Sequence, residues 1–572
     1  MLYLIIYYFL ITTICLFTGM LIYSFIPSDV PIEKPLINFL LTGLMGITAI
    51  GQWIVLFLPI NIITLLGILI VFGIISGLRK KKISRIFMNC RILNQNNSVL
   101  FYIVFLVFLV LIMVFNAGPV TMDDTASYHI QMVKWIQEFG SVPGIANLHM
   151  RFGFNSSWFS SIGLLSYPFP GLNTYITLNG LLCVWFCYFL LEKTFAFSKA
   201  GVSGKPLNQE VGTLILLVLS LFNWSIIRGS ASSANYDFIS TCCIIVLFID
   251  LYENQNEIPI EWLIWPVYLF TVRMMNFPLF ILSLLFIFSF LKPVSIKKLL
   301  LVFFLGGFII VPFLIRNIIL SGYLFFPIYQ LDFFSFDWKA DKMNMEEIGN
   351  YIKYFNRVNP MFQLMSVTER QNFPNWISGW YRYLFRFDKL ILTFSFFGYT
   401  FLLFSIKKMK NRLLRVFLFA MICQLISWFF IGPDPRFVYG PLLFGIFAPI
   451  ICLPDMKKSW TGFMRYSVLL TSLLVLTYGI SKVVRDDGYR NFLTPHKLPV
   501  PDVRTVIVGH IQMNIPEKIL NNWNPRCYDI ELPCLYKQDP RLEARGEKIA
   551  DGFRLKSQSE YNFTGGEYKI TD

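Results

Sequence analysis

The sequence predicts an all-α polytopic membrane protein with a small α+β domain at its C-terminal end. Three observations carry this. Apolar runs of about 18 to 25 residues recur from Leu2 to Ile480, each long enough to cross a hydrocarbon core. Charged residues make up 15% of the 572 positions, against about 25% in soluble domains. Many of the basic residues cluster in short loops between apolar runs: Arg79 to Lys82, Lys297 and Lys298, Lys407 to Arg415, and Lys457 and Lys458. Backbone amides in lipid must bond within their own segment, so the runs are helices or barrel strands. Their length and their lack of period-two alternation exclude a barrel.

Taken in order, the first 98 residues hold three apolar runs and the basic loop Arg79–Arg91. The first run, Leu2–Phe25, has no basic leader and no small-residue cleavage site, and reads as a retained helix. A core over 99–481 follows, with spans near Val99–Phe115, Leu172–Leu191, Val211–Ile227, Phe238–Tyr252, Trp262–Thr271, Met275–Leu291, Leu299–Ile319, Leu390–Ile406, Val416–Ile431, Phe437–Leu453 and Tyr466–Ile480. The total is about 13 to 14 spans by the length criterion. Trp262–Leu291 divides into a hairpin at Arg273; one long span there breaks the alternation of loops.

With Arg79–Arg91 in the cytoplasm, the loops Lys193–Lys205, Lys292–Lys298, Lys407–Arg415 and Lys457–Arg465 fall on the same side. Ala117–Trp158, Ser321–Asp388 and the tail 482–572 then lie outside with both termini. The net charge of +15 is therefore an orientation signal, and no stretch interleaves bases with aromatics as a nucleic-acid surface does. The tail holds a strand-like run, Val503–Gly509 (VRTVIVG), and two cysteines, Cys527 and Cys534. In an oxidising compartment these form a disulfide; two free thiols are the alternative.

The densest polar stretch is TMDDTASYHIQMVKWIQEFGSVPGIANLHMRFGFNSSWF. Asp123 and Asp124 follow the end of a membrane helix, and a new helix runs from Asp124 to Phe139, broken by Gly140 and Pro143. On it Asp124, Tyr128, Gln131 and Trp135 are spaced four, three and four apart and line one face. His129 and Lys134 stand on neighbouring faces, and Asn147, His149, Arg151 and Asn155 come after the turn. A carboxylate, a histidine and cations at a membrane surface are the parts needed to activate a hydroxyl and hold a phosphate. The plainer reading of Thr121-x-x-Asp124 is a helix cap, and of Tyr128 and Trp135, interfacial anchors. Three more polar sites fall at the same surface: Asp434 and Arg436 in GPDPRF, Arg316-Asn317 at a helix end, and Arg228 with Asn235, Tyr236 and Asp237. Placement at one interface fits a transferase acting on a lipid-borne group better than a transporter, whose site sits near the midplane.

This arrangement resembles the GT-C superfamily of integral membrane glycosyltransferases over roughly Val99 to Ile480, through the acidic pair after a membrane helix, the segment VPFLIRNIILSGYLFFP and the turn GPDPRFVYG. YHIQMVKWIQEFGSVPGIANLHMRFGFNSSWF and PCLYKQDPRLEARGEKIADGFR also resemble a broad, uncharacterised group of bacterial multipass proteins, which implies a bacterial inner membrane. The GT-C resemblance implies inverting transfer of a sugar from a polyprenyl-phosphate donor to a glycan, lipid or protein acceptor. Asp123 or Asp124 would be the general base, with His129 as a further catalytic candidate. Arg316, Arg436, Lys134 or His129 would neutralise the leaving phosphate. Tyr128, Gln131, Trp135 and Asn155 would shape the sugar and acceptor pocket, with Asn147, Arg151, Asp237 and Asp434 as further binding candidates. Some members use a divalent cation, which the carboxylates permit without requiring. A flippase of lipid-linked saccharides and a non-catalytic scaffold subunit are the rival readings.

Overall fold

A computed structural model describes residues 1–26, 34–90, 98–166, 174–196, 207–253, 259–290, 296–358, 366, 369, 376–409, 411–453, 461–485, 496–517, 526–535 and 539–556. Parts of the expected loops Lys193–Lys205, Lys292–Lys298 and Lys457–Arg465, and residues 359–365 and 370–375 of the second polar segment, lie outside the described residues.

Eight helices among the described residues are long and apolar enough to cross a membrane, or ten if two bent pairs each count as one span. Three apolar stretches expected as spans form shorter helices, Glu261–Val272, Met274–Ser289 and Pro435–Ile451. At 1.5 Å per residue, a helix of the 12 residues in Glu261–Val272 covers about 18 Å, well short of a ~30 Å core. The break expected at Arg273 is present: its backbone is extended, with φ −154° and ψ 120°, between two helical segments.

Helices α1 (Leu2–Phe25) and α2 (Leu36–Ile54) pack backbone to backbone. A Cβ on Gly19 would collide with the Phe39 carbonyl, and one on Gly43 with that of Cys15, so small residues set this distance, as is usual where helices meet in lipid. Next come α3 (Ile62–Leu78), α4 (Lys80–Asn89), α5 (Val99–Ala117), α6 (Ile130–Glu138), α7 (Ser157–Leu165) and α8 (Thr177–Thr194). Buried hydrogen bonds tie them. Gln52 on α2 donates to Ser160 on α7 (2.9 Å), Trp158 on α7 to Asn179 on α8 (2.9 Å), and Asn116 of α5 to the carbonyls of Ile176 (2.8 Å) and Ala231 (2.6 Å).

The three polar segments expected on one side contact one another. The strand expected at Val503–Gly509 is β1 (Val503–Val508), paired antiparallel with β2 (Ile511–Pro516) across Gly509-His510, where Gly509 takes φ +64°. β3 (Leu542–Ala544) pairs antiparallel with β4 (Phe553–Leu555). Met513, Ile515, Leu535 and Phe553 of the tail belong to the same buried cluster as Trp135 and Val142 of the first polar segment. The His496 amide donates to the Ala117 carbonyl (2.9 Å) and that of Phe553 to Pro143 (3.0 Å). Arg541 pairs with Asp341 (3.0 Å) and Arg545 with Asp337 (2.7 Å) of the second segment. Cys527 and Cys534 are joined in a disulfide, their Cα atoms 6.3 Å apart. Elsewhere, Lys34 bridges buried Asp250 (2.9 Å) and Glu261 (3.3 Å), so Asp250 joins a network that includes Tyr23 and Asn38.

Candidate functional site

Between α5 and α6 the chain makes one wide turn, Thr125–His129, closed by the Ile130 amide bonding to the Thr125 carbonyl five residues back. Turns of this kind are rare and concentrate at functional sites. Asp124 stands at its start with no capping hydrogen bond from its side chain. The carboxylate goes to two guanidiniums instead: Oδ1 lies 3.2 Å from Arg151 Nη1, and Oδ2 lies 2.8 Å from Arg436 Nη2.

Arg436 carries the network on. Its Nε faces Asp434 Oδ2 at 3.1 Å and Asp237 Oδ2 at 3.9 Å, and Asp237 Oδ1 is held by Arg273. The turn bearing Asp434 is fixed from outside: Trp428 donates to the Asp434 carbonyl (2.7 Å) and Trp380 to that of Pro433 (2.7 Å), while Asp434 Oδ1 accepts the Arg436 amide (3.1 Å). Three aspartates thus meet three arginines from five separate parts of the chain. Burial pushes the Asp124 carboxyl up, but Arg436 and Arg151 outweigh it and hold it well below the usual carboxylate range. Burial acts to lower the Arg151 pKa, and Asp124 together with the Tyr351 and Tyr128 hydroxyls raises it on balance.

Aromatic rings wall the network. Arg151 lies over Tyr128 (5.7 Å) and Tyr351 (5.1 Å), and Arg273 over Phe437 (3.4 Å). His129 is buried against Phe159 and Tyr236. Its Nδ1 faces Thr125 Oγ1 at 3.3 Å, and that hydroxyl already accepts the Ala234 amide (3.1 Å). The hydroxyl and Nδ1 share one hydrogen bond, and Nε2 has no partner among the described residues. Burial lowers the His129 pKa to about 3; Asp124 opposes this, and Arg436 and Arg151 add to it.

Arg316, on a separate membrane helix, is fully buried. One guanidinium nitrogen donates to Asn155 Oδ1 (2.6 Å), four residues after Arg151, while Nε and Nη2 have no partner among the described residues. It makes no ion pair among them. A buried cation with unused donors is costly unless an anion joins it.

The remaining sequence candidates are used differently. Asp123 points away, its side chain 63% exposed against 23% for Asp124, and pairs with Arg526 (2.7 Å) of the tail. Gln131 donates to the carbonyls of Tyr528 (3.1 Å) and Ile530 (3.0 Å); Lys134 donates to those of Asp529 (3.1 Å) and Ile530 (2.9 Å). Trp135 is buried beside Phe553, and Asn147 donates to the carbonyls of Trp338 (3.0 Å) and Phe553 (3.3 Å). Gly144, at φ +69°, admits this strand; a Cβ there would strike the Phe553 carbonyl. Gln131, Lys134, Trp135 and Asn147 therefore seat the tail instead of facing the arginines. The expected single face fails because the wide turn adds a residue between Asp124 and α6, rotating later positions by about 100°.

Sequence reasoning missed Arg273, Tyr351 and Arg526. An arginine between two apolar runs was a usable signal for Arg273; the other two had none. No group of three or more His, Cys, Asp or Glu side chains suited to a metal occurs among the described residues. A divalent cation does not fit the aspartate cluster as arranged, since the oxygens of Asp124, Asp237 and Asp434 already face arginine groups.

A family model described as a domain of unknown function (DUF8201) matches residues 1–443. The chain belongs to that family. The matched stretch contains the whole Asp124 network and Arg316, whereas the strands and disulfide of the tail lie beyond it. No curated protein and no solved structure matches the chain.

Proposed function

We propose that the chain is an inverting GT-C-type glycosyltransferase of a bacterial inner membrane, moving a sugar from a polyprenyl-phosphate donor to an envelope glycan, lipid or protein acceptor on the exported face. The observation that carries this reading is an arginine-held carboxylate, Asp124, in a chain that also holds a fully buried arginine, Arg316, with donors to spare. The reading takes the helical bundle as 14 spans, the upper end of the expected 13 to 14 and the shorter apolar helices included, because an even number puts both termini on the exported side. The alternation of basic loops supports that orientation. So does the disulfide, a bond that persists in oxidising compartments.

In this mechanism the acceptor hydroxyl approaches Asp124. Each carboxylate oxygen receives one arginine donor and keeps a lone pair for the incoming O–H. A carboxylate held this low in pKa is a weak base, so the proton moves late, once bonding to the anomeric carbon has made the hydroxyl acidic. The bond from that carbon to the phosphate oxygen breaks in the same displacement. Arg316 takes the leaving phosphate, because Arg436 is engaged by three aspartates and Lys134 by tail carbonyls.

The test is turnover of a panel of polyprenyl-phosphate sugars by the full chain in nanodiscs. We expect transfer or slow hydrolysis with one donor class, and a raised donor KM in Arg316→Gln. Lack of turnover with every donor, in a chain that moves lipid-linked saccharides between leaflets, would replace the transferase with a flippase.

A further inference from the structure

α4 has no role in the proposed chemistry, and its geometry is unlike that of its neighbours. It leaves α3 at an angle of 89°, so if α3 crosses the bilayer, α4 runs along its surface. Its first residues forbid burial in hydrocarbon: Lys80, Lys81, Lys82 and Arg85 are exposed, and none makes an ion pair among the described residues. No acidic residue occurs between Arg79 and Asn89.

The bundle holds α4 in place. Ile86 is buried with Met20, Tyr23 and Phe39, and Ile83 packs on the same cluster. Arg79 pins the corner, donating to the Ser24 carbonyl (3.3 Å) with its guanidinium over the Phe25 ring (4.3 Å). Phe87 and Met88 remain exposed beside the four cations. A short helix fixed parallel to a bilayer, bearing unpaired cations and free apolar side chains, has the chemistry of an interfacial helix: apolar groups enter the headgroup boundary and lysine stems reach up to phosphates.

We propose that α4 is a binding surface for anionic lipid headgroups in the leaflet it touches, recognised by Lys80, Lys81, Lys82 and Arg85. The inference is independent of the transferase reading and requires only that α3 span the membrane. The charges also orient the chain, but orientation is settled at insertion, whereas a headgroup surface keeps acting in the folded protein.

Each cation near an anionic surface contributes about a fivefold preference. The test uses the full chain extracted from membranes of phosphatidylcholine and phosphatidylglycerol, with retained lipids counted by native mass spectrometry. We expect phosphatidylglycerol to be enriched on the wild type, and the enrichment to fall at least tenfold in K80Q/K81Q/K82Q/R85Q while K80R/K81R/K82R keeps it. Because removing four charges can disturb insertion, K81Q/R85Q is measured in parallel and should lose part of the enrichment with insertion intact. Equal retention of the two lipids by the wild type, or unchanged enrichment in K81Q/R85Q and the quadruple variant, would overturn the proposal. So would an acidic protein co-purifying through α4 in place of lipid.

Discussion

Asp124→Asn separates the two adjacent aspartates that sequence alone leaves equivalent. The substitution keeps the shape but removes one charge from a set of three aspartates and three arginines, leaving Arg151 and Arg436 facing an amide. At 2.8 and 3.2 Å the gross attraction is about 5 to 6 kcal/mol per pair at an effective dielectric of 20. Much of this is offset by solvation returning to the freed groups. The net cost of removing one partner from a buried pair is roughly 3 to 5 kcal/mol, and the 23% exposure of Asp124 puts it at the low end, about 3 kcal/mol. Loss of a general base lowers turnover by roughly 10² to 10⁴. Asp123→Asn breaks only an exposed pair with Arg526, worth about 0 to 1 kcal/mol, and should leave turnover near wild type. The double variant Asp124→Asn/Arg151→Gln leaves Arg273 and Arg436 facing Asp237 and Asp434, so charge balance returns. It should recover thermal stability in nanodiscs while turnover stays low. Equal loss of activity in Asp123→Asn and Asp124→Asn, or turnover regained along with stability in the double variant, would refute a catalytic role for Asp124.

Two further outcomes follow from the same geometry. Burial lowers the His129 and His149 pKa values to about 3, with Arg151 adding to both. Unfolding lets them take up protons near their ordinary pKa of about 6.5, so stability is full above that value and falls as pH drops below it, by roughly 2 kcal/mol per histidine at pH 5. Asp124, depressed in the folded state, loses its contribution only below the ordinary carboxylate range, outside that window. Melting followed from pH 7 to 5 should therefore flatten in His129→Gln/His149→Gln; an unchanged slope would assign the effect to other groups. Opening the disulfide in Cys527→Ser/Cys534→Ser frees a short loop, at a cost of roughly 2 kcal/mol. Hydrogen exchange should then quicken in 526–535 and in α6, whose Gln131 and Lys134 hold that loop; faster exchange in the loop alone would show that the tail does not brace α6.

What the sequence made legible follows from how local each feature is. Apolar length and basic loops are properties of contiguous residues, so the multipass helical class, the break at Arg273 and the β1 strand could be read directly. A 12-residue helix and a 20-residue one look alike when the apolar run continues past a bend, so the sequence did not separate Glu261–Val272 from longer helices such as Arg386–Ser405. The side of the chain on which a polar residue works depends on partners far away. Arg436 lies 312 positions from Asp124, and the Ile530 carbonyl 396 from Lys134. Composition marked both Asp124 and Lys134 as unusual near a membrane, but it could not tell a carboxylate held between two arginines from a lysine that anchors the disulfide loop of the tail.

The widened turn at Thr125–His129 is where local reading fails for a definite reason. Spacings of four, three and four describe one face only when every turn has 3.6 residues. One bond reaching back five positions rotates everything after it, so Asp124 and Tyr128 meet the arginines while Gln131 and Lys134 meet the tail. Side chains hold the turn open: Thr125 Oγ1 accepts the Ala234 amide and shares a hydrogen bond with His129 Nδ1, binding the turn to the segment that leads into Asp237. A regular helix in its place would turn Asp124 away from Arg151 and Arg436 or Lys134 away from the disulfide loop, and it could not keep both. The same five residues therefore set the aim of the carboxylate and the seat of the tail, and a change in either is felt by the other through this turn.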